Sequence, residues 1–450
     1  MKKIMAVDIG TQSLKTSIYN DSLECLERHK VPYSPTTSSD NRVEIDAEIY
    51  WRAFVSCCRQ LANKDISGLV FSTLCPSLLL MDDKGVALTP VILHLDRRSK
   101  KESKWIMDTI GGETFRNITG NLPIPGGISI TSMLWIKNQQ GGAIPEGAVF
   151  GHVETFFMKR LTGEFYIDPS NASFTGLYET LAYSDWSTEL LEKTGIKRNN
   201  LPKVLDSLSI AGLLLPSVAE ETGLPTDLPV VIGANDTTCA TAGAGIREPG
   251  MLLNTSGTVE VLVLCTDKPI VGPNHLIRTH AYKNRWLVMR TLGAGGASIE
   301  WFRNNFCKDL SYDKFYSDYL PAVLSKDENR VVEFAPYLTG DRHKLEPLKA
   351  SFSDVTIDSS RDDFLYAVIR SNVNFLFSIL PEWKRHTFVG DKIYHVGGGA
   401  GEAYTDFKRS VLKDYRIEQI GETAEKGAAI IGFEALGISL RHTIYKGGDY

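Results

Sequence analysis

Cysteine is scarce in this 450-residue chain. There are seven, scattered along it, with Cys57 and Cys58 adjacent and no C-x-x-C anywhere. An odd, dispersed set argues against a disulfide framework and reads as reduced thiols in a cytoplasmic protein. Long apolar runs are absent too. The longest candidate, GLVFSTLCPSLLLM at 68–81, is interrupted by Pro76 and two serines and falls short of the roughly 18 residues a membrane span needs. At the start, MKKIMAVDIG offers four apolar residues, Ile4 to Val7, before Asp8, too few for the core of a signal peptide. Nor is there a basic field. The net charge is -5 and the short basic patch DRRSKKESK at 96–104 reads as a solvated helix face, so neither nucleic acid nor a membrane is expected as a partner. No G-x-x-x-x-G-K-[ST] occurs, and the glycine clusters GAGGAS at 293–298 and GGGAGEAY at 397–404 do not fit the dinucleotide fingerprint. A nucleotide site would have to be built another way.

What is present points to a folded chain in two parts. Hydrophobic residues at 43% and charged residues at 23% are ordinary for a globular protein, and 450 residues exceed what one core supports. Strand-like runs such as KIMAVDIG, ISGLVFST, LPVVIGA, VEVLVLC and IYHVGGG alternate with helical patterns such as WRAFVSCCRQLA and FKRSVLKDY. That alternation predicts a mixed α/β fold with largely buried sheets. A repeat is also visible. AVDIGTQSLKTSIY is a strand, a tight turn and a second strand, and about 250 residues later LLNTSGTVEVLVL has the same plan. Two hairpins bent at Gly-Thr, each opening half of the chain, predict a duplicated fold with a boundary just after Asp236, dividing the chain into 1–241 and 242–450.

Such hairpins have a chemical use. Gly10 and Gly257 let backbone amides approach an anion, while Thr11, Ser13 and Thr258 add hydroxyl donors to phosphate oxygens. Two tips converging from opposite halves would grip one polyphosphate, with Asp8 placed to hold the waters of a Mg²⁺ ion on it. Without a ligand they are simply two tight turns. Asp236, in VVIGANDTTCATAGAG at 230–245, stands where an apolar strand gives way to small residues. Either Asn235 or Asp236 can serve as the N-cap of the helix that follows.

The chain resembles the FGGY-type carbohydrate kinases of the ribonuclease H-like, actin-like ATPase superfamily. The resemblance rests on eight segments in the family's order: VDIGTQSLK (7–15), LDRRS (95–99), LTGEF through DPSNAS (161–173), GANDTTCATAGAGIREPG (233–250), NTSGT (254–258), APYLTGDR (335–342), HVGGGAGEAYTDFKRSVL (395–412) and EKGAAIIGFEALG (425–437). It implies two ribonuclease H-like domains around a central cleft, ATP and Mg²⁺ as cofactors, and phosphorylation of a small sugar, sugar acid or polyol, a xylulose-like ketose foremost. It implies Asp236 as the general base and, with Asp8, as a metal-side carboxylate. Gly10, Thr11, Gln12 and Ser13 would form the first phosphate loop, and Gly257 and Thr258 the second. Gly293 and Gly296 would lie near an adenosine pocket formed by Gly398, Gly399 and Ala400; the bland alternative for these glycines is a strand-to-helix turn. Asp96 and Arg98 match the family's Asp-x-Arg and would bind substrate hydroxyls, leaving Arg97 without a counterpart. A homodimer is left open.

Departures fall on the sugar side. STLCPS at 72–77 matches neither the Gln-Arg-Glu of glycerol kinases nor the Gln-Met-His-Gly of xylulokinases, Ser132 stands for a signature lysine, Val153-Glu154-Thr155 for Pro-Lys-Asp, and Arg370 for a glutamate. The alternative function is a non-catalytic or regulatory ATP-binding relative, which would need no base facing a sugar pocket.

Overall fold

The computed structural model describes residues 2–40, 42–61, 65–326, 331–346, 348–397, 401–421 and 423–441. Two six-stranded sheets repeat one plan. The first is built from β1 (Lys3–Ile9), β2 (Ser13–Asn20), β3 (Cys25–Pro32), β4 (Leu69–Thr73), β5 (Ile210–Leu213) and β6 (Pro229–Asn235), in the order β5-β6-β4-β1-β2-β3. The second is built from β7 (Leu252–Ser256), β8 (Glu260–Thr266), β9 (Leu276–Thr279), β10 (Trp286–Leu292), β11 (Lys392–Val396) and β12 (Arg416–Ile420), in the order β9-β10-β8-β7-β11-β12. In each, three antiparallel strands continue into two parallel ones: β1 pairs antiparallel with β2 and parallel with β4, and β7 pairs antiparallel with β8 and parallel with β11. The extra strands sit on opposite edges, β5 against β6 and β9 against β10.

The reason these runs fold so is visible in their composition. β4, Leu-Val-Phe-Ser-Thr, is buried along its whole length, as a parallel strand covered on both faces must be. β3 is mostly exposed and charged, which protects a sheet edge from further pairing. A smaller five-stranded sheet, formed by 36–37, 43–45, 77–81, 91–93 and 149–152, adds a lobe to the first half. The LDRRS segment joins that sheet to the helix Lys100–Thr109.

One helix crosses back. Four helices matter for the site: α1 (Asp236–Gly243), α2 (Gly295–Phe306), α3 (Gly401–Val411) and α4 (Ala424–Ala435). A division at 241/242 assigns α4 to the second half, yet its Ala428, Ala429, Ile431 and Phe433 pack into one core with Ile4, Ala6, Val70 and Val231 of the first sheet. In packing, α4 thus belongs with the first sheet. The contact with α1 is made backbone to backbone. A Cβ on Gly427 would lie 1.7 Å from the Cys239 carbonyl oxygen, and one on Gly243 would lie 2.0 Å from that of Thr423.

The helical run Arg361–Lys384 is long and apolar enough by composition to cross a membrane, which the sequence reading did not flag. Its Leu365, Val368, Val373, Leu376 and Trp383 are buried in the core of the second half, which accounts for their apolarity.

Candidate active site

At the end of β6 the chain must turn sharply into α1. Gly233, with φ at +81°, makes this possible: the register with β4 shifts between Val231 and Ala234, and a Cβ on Gly233 would stand 1.8 Å from the Phe71 carbonyl oxygen. Asn235 then caps the helix, its Oδ1 accepting the Thr238 amide at 3.0 Å. This resolves the choice between the two candidate caps. Asp236 is the first helical residue, free of the capping task, and its Oδ1 accepts from the Thr237 amide (2.5 Å) and hydroxyl (3.1 Å).

Asp236 lines a cavity of about 280 Å³ between the halves. Thr11 of the first hairpin and Thr255 of the second share that lining, as do His94, Arg97, Arg278 and Arg342. The volume lies near the low end for small-ligand pockets, about 300–1,000 Å³, which suits a sugar-sized molecule better than a sugar and a nucleotide together. Burial raises the Asp236 carboxyl above its usual range, and the Arg278 guanidinium and the Thr237 hydrogen bonds pull it back. Asp8 is pushed up to about 6, chiefly by burial, with the charges of Asp236 and Glu425 adding to the rise. The Ser72 hydroxyl, donating to Asp8 Oδ1 at 2.7 Å, and the ammonium of Lys15, 3.8 Å from Oδ2, act the other way.

The two hairpins expected to meet phosphate differ from expectation in detail. The amides of Gly10 and Gly257 are spent within their own turns, on the carbonyl oxygens of Ser13 (3.0 Å) and Val259 (3.1 Å). Any anion there would be met by neighbouring groups on Thr11, Gln12, Ser13 and Thr258; Gln12 and Thr258 are exposed, and Thr11 and Ser13 are half-buried. At Gly257 a Cβ would find nothing closer than the Val259 carbonyl oxygen at 3.7 Å, so packing alone does not require glycine there. Gly293 lies in the turn from β10 into α2 and Gly296 in the first turn of α2, which docks on the second hairpin through Gly296 N to Gly257 O (2.9 Å) and Ala297 N to Thr258 O (3.3 Å). Gly398, Gly399 and Ala400 lie outside the described residues.

Asp96 and Arg98 do not line the Asp236 cavity. Asp96 is fully buried and accepts from the Val43 amide (2.8 Å) and from Arg98 Nη2 (2.7 Å). Arg98 also reaches Glu44 at 2.5 Å and lies over the Trp135 ring. In this arrangement the two groups bind each other, and Arg98 also lines a separate surface pocket with Trp135 and Lys101. Arg97, the intervening residue, is the one that turns into the cavity, held by its Nη1 on the carbonyl oxygens of His94, Asp96 and Pro125.

Other residues were not singled out by sequence. Arg278 lies on β9, with Nη1 donating to Asn235 Oδ1 at 2.8 Å and its plane 4.1 Å from the Phe174 ring. Glu425, at the start of α4, accepts from the Ser17 hydroxyl and pairs with Arg28 (3.0 Å) and Lys15 (3.7 Å). Its place within EKGAA was a signal, but not a reason to send it to β2. Of the departures, Glu154 is buried and accepts the Asp168 amide at 2.7 Å, Ser132 is buried in the helix Ser129–Gln139, and Arg370 pairs with Glu333 at 2.8 Å.

Comparison with known proteins bears on this geometry. The model for the FGGY family of carbohydrate kinases, N-terminal domain, matches residues 3–243. A xylulose kinase of Staphylococcus xylosus is 26% identical over 409 residues, covering 89% of this chain and 83% of its own. A gluconokinase of Bacillus subtilis is 24% identical over 459 residues, covering 96% and 88%. Among solved structures, the ligand-bound xylulose kinase of Lactobacillus acidophilus superposes with a TM-score of 0.89 at 20% identity, covering 99% of this chain and 91% of that one, a likeness of fold. The duplicated sheets agree with that fold, and the chain belongs to the FGGY family of carbohydrate kinases.

Proposed function

We propose that this carbohydrate kinase transfers the γ-phosphoryl group of ATP to a hydroxyl of a small sugar or sugar acid, with Asp236 as general base. One observation carries the reading. Asp236 is the single carboxylate among the described residues lining the cavity, and its capping work is done by Asn235. A carboxylate so placed accepts the proton of the attacking hydroxyl as the oxygen closes on phosphorus. The half-buried site keeps its base strength above that of a solvated aspartate, since burial raises its pKa.

Mg²⁺ fits the residues present. Asp8 and Asp236 are near enough for the charge of one to raise the pKa of the other, a repulsion that a divalent cation between or beside them relieves. Among the described residues no group of three or more metal-ligating side chains exists, but Mg²⁺ commonly keeps several waters and uses one or two carboxylates plus phosphate oxygens. Asp8 and Asp236 would hold it, and its charge would offset the negative charge on the transferring group. Thr11 and Thr258 would position the phosphates from opposite hairpins.

Asp236→Asn should reduce sugar phosphorylation by at least ~100-fold while leaving ATP affinity within a few-fold. Turnover within tenfold of the native enzyme would sink the assignment.

A further inference from the structure

The cavity holds an imbalance of charge. Against the single carboxylate of Asp236 stand three guanidinium groups, those of Arg97, Arg278 and Arg342, among otherwise neutral or apolar described residues. His94 adds no charge at neutral pH, since burial and the neighbouring Arg342 and Arg97 hold its pKa down to about 4. Arginines are costly to bury with donors unsatisfied, and two of these have donors to spare. Arg278 is 6% exposed; its Nη1 is used on Asn235, but its Nε has no hydrogen-bond partner, and neither does the adjacent Asn235 Nδ2. Arg342 makes no hydrogen bond or ion pair with any described residue, and burial together with the charge of Arg97 lowers its pKa to about 10. The wall is therefore a surplus of donors and positive charge waiting for an acceptor.

A neutral sugar offers lone pairs to these donors but leaves the charge uncompensated. A carboxylate supplies both, and its planar pair of oxygens matches the fork of a guanidinium. The other anion in the reaction is the phosphate of ATP. None of the three arginines belongs to either phosphate hairpin: Arg97 follows Asp96 in the LDRRS loop, Arg278 is on β9, and Arg342 follows the strand Glu333–Ala335. Arg278 lies against Phe174 and binds the residue just before Asp236, on the wall shared with Ile128 and Leu276.

From this geometry we infer that the acceptor is a sugar acid, whose carboxylate is held by Arg278 and Arg342 with Arg97 completing the positive wall, while a hydroxyl along the same carbon chain meets Asp236. The inference rests on the phosphoryl-transfer reading above. It makes these arginines determinants of specificity, because neutral ketoses and polyols of the same length cannot satisfy them.

The test is ADP release by the full-length protein with Mg²⁺ and ATP against five- and six-carbon aldonates and the matching ketoses and alditols. Aldonates should exceed their neutral counterparts in kcat/KM by at least ~100-fold, the usual worth of a charge-assisted pair left unmade. Arg342→Gln removes a charge without breaking any described contact, so it should fold; Arg278→Lys keeps the charge and loses the fork. Each should raise KM for the aldonate by ~10-fold or more while KM for ATP moves less than threefold, and melting curves verify folding. A neutral sugar preferred by the native enzyme, with turnover abolished by Asp236→Asn, would overturn the acid and leave the kinase standing. Arginine variants that raise KM for ATP alone would also overturn it, assigning the charge to phosphate. If no acceptor is phosphorylated while ATP still binds, both readings fall.

Discussion

Removing Lys408 should weaken the support of the second hairpin, the one proposed to meet phosphate. The side chains of Lys408 on α3 and Glu260 on β8 are both fully buried and form an ion pair. Lys408 Nζ also donates to Asn254 Oδ1 at 2.9 Å and to His395 Nε2 at 3.3 Å, with Ser256 Oγ 3.4 Å away. The other oxygen of Glu260 accepts from the Tyr404 hydroxyl at 2.8 Å. His395 is held neutral, its pKa lowered to about 4 by burial and the Lys408 charge, so its Nδ1 donates to Gln419 and leaves Nε2 as the acceptor. The pair ties β7, β8 and β11 together immediately behind Gly257.

Breaking a buried pair from one side leaves the other charge uncompensated, at a cost of about 3–5 kcal/mol, whereas replacing both by apolar groups of similar volume is often neutral. Lys408→Met should accordingly lower the melting temperature of the second half by roughly 6–20 °C, given about 2–4 °C per kcal/mol for a unit of this size. Lys408→Met combined with Glu260→Met should recover most of that loss. The readout is thermal and urea denaturation of the four proteins in a double-mutant cycle, alongside KM for ATP. If the single variant stays within ~1 kcal/mol of the native protein, or the double variant is as unstable as the sum of the singles, the pair is not what holds the hairpin.

Two further outcomes follow from the phosphate side. Asp8, raised from 3.8 to about 6, contributes stability that is fully present below about 4 and lost as pH rises through about 6, because burial favours its protonated form. Asp8→Asn should therefore gain on the native protein by about 3 kcal/mol between pH 4 and pH 7 in the absence of ligands, as read by urea denaturation, and a difference that does not change with pH would refute the burial argument. Gly257→Val should fold normally, since a Cβ there meets only an ordinary contact at 3.7 Å, yet weaken ATP binding measured by calorimetry; unchanged affinity would remove that turn from the nucleotide site.

The parts of the fold that could be read in sequence were those fixed by short-range pattern. The hairpins Lys3–Ile9 with Ser13–Asn20 and Leu252–Ser256 with Glu260–Thr266 announced themselves as apolar strands bent at small residues, and their repetition gave the duplication. Asp236 was legible because a strand ended at it. The face of a neighbouring residue was not. Asp96, Arg97 and Arg98 are consecutive, and which guanidinium enters the cavity depends on the loop's backbone: the Asp96 carboxylate draws Arg98 to itself, and three carbonyl oxygens draw Arg97 the other way. Arg278 carried no signal, since one arginine in a strand has no spacing to recognise, and Arg342 stood at the end of APYLTGDR without anything in that segment to assign it a role. The helix Ala424–Ala435, rich in small and apolar residues, declares that it is buried but not against which sheet.

That last helix bears on how the halves are joined. α1 starts at Asp236 and ends at Gly243, where its backbone meets Gly427 and Thr423, so α4 braces the helix that positions the proposed base. At its own start, α4 sends Glu425 to Ser17, Arg28 and Lys15, and Lys15 in turn lies 3.8 Å from Asp8. Both carboxylates of the proposed phosphoryl-transfer site are thus anchored to one element, and that element follows directly on β12 of the other half's sheet. The chain crosses between the halves twice, once between α1 and β7 and again between β12 and α4. Thr255, Arg278 and Arg342 of the other half already face Thr11 and Asp236 across one cavity, with Arg278 hydrogen-bonded to Asn235 beside Asp236. The fold therefore separates two tasks: the packing of α4 fixes the carboxylates against each other, and the opposite half supplies Arg278, Arg342 and the second hairpin.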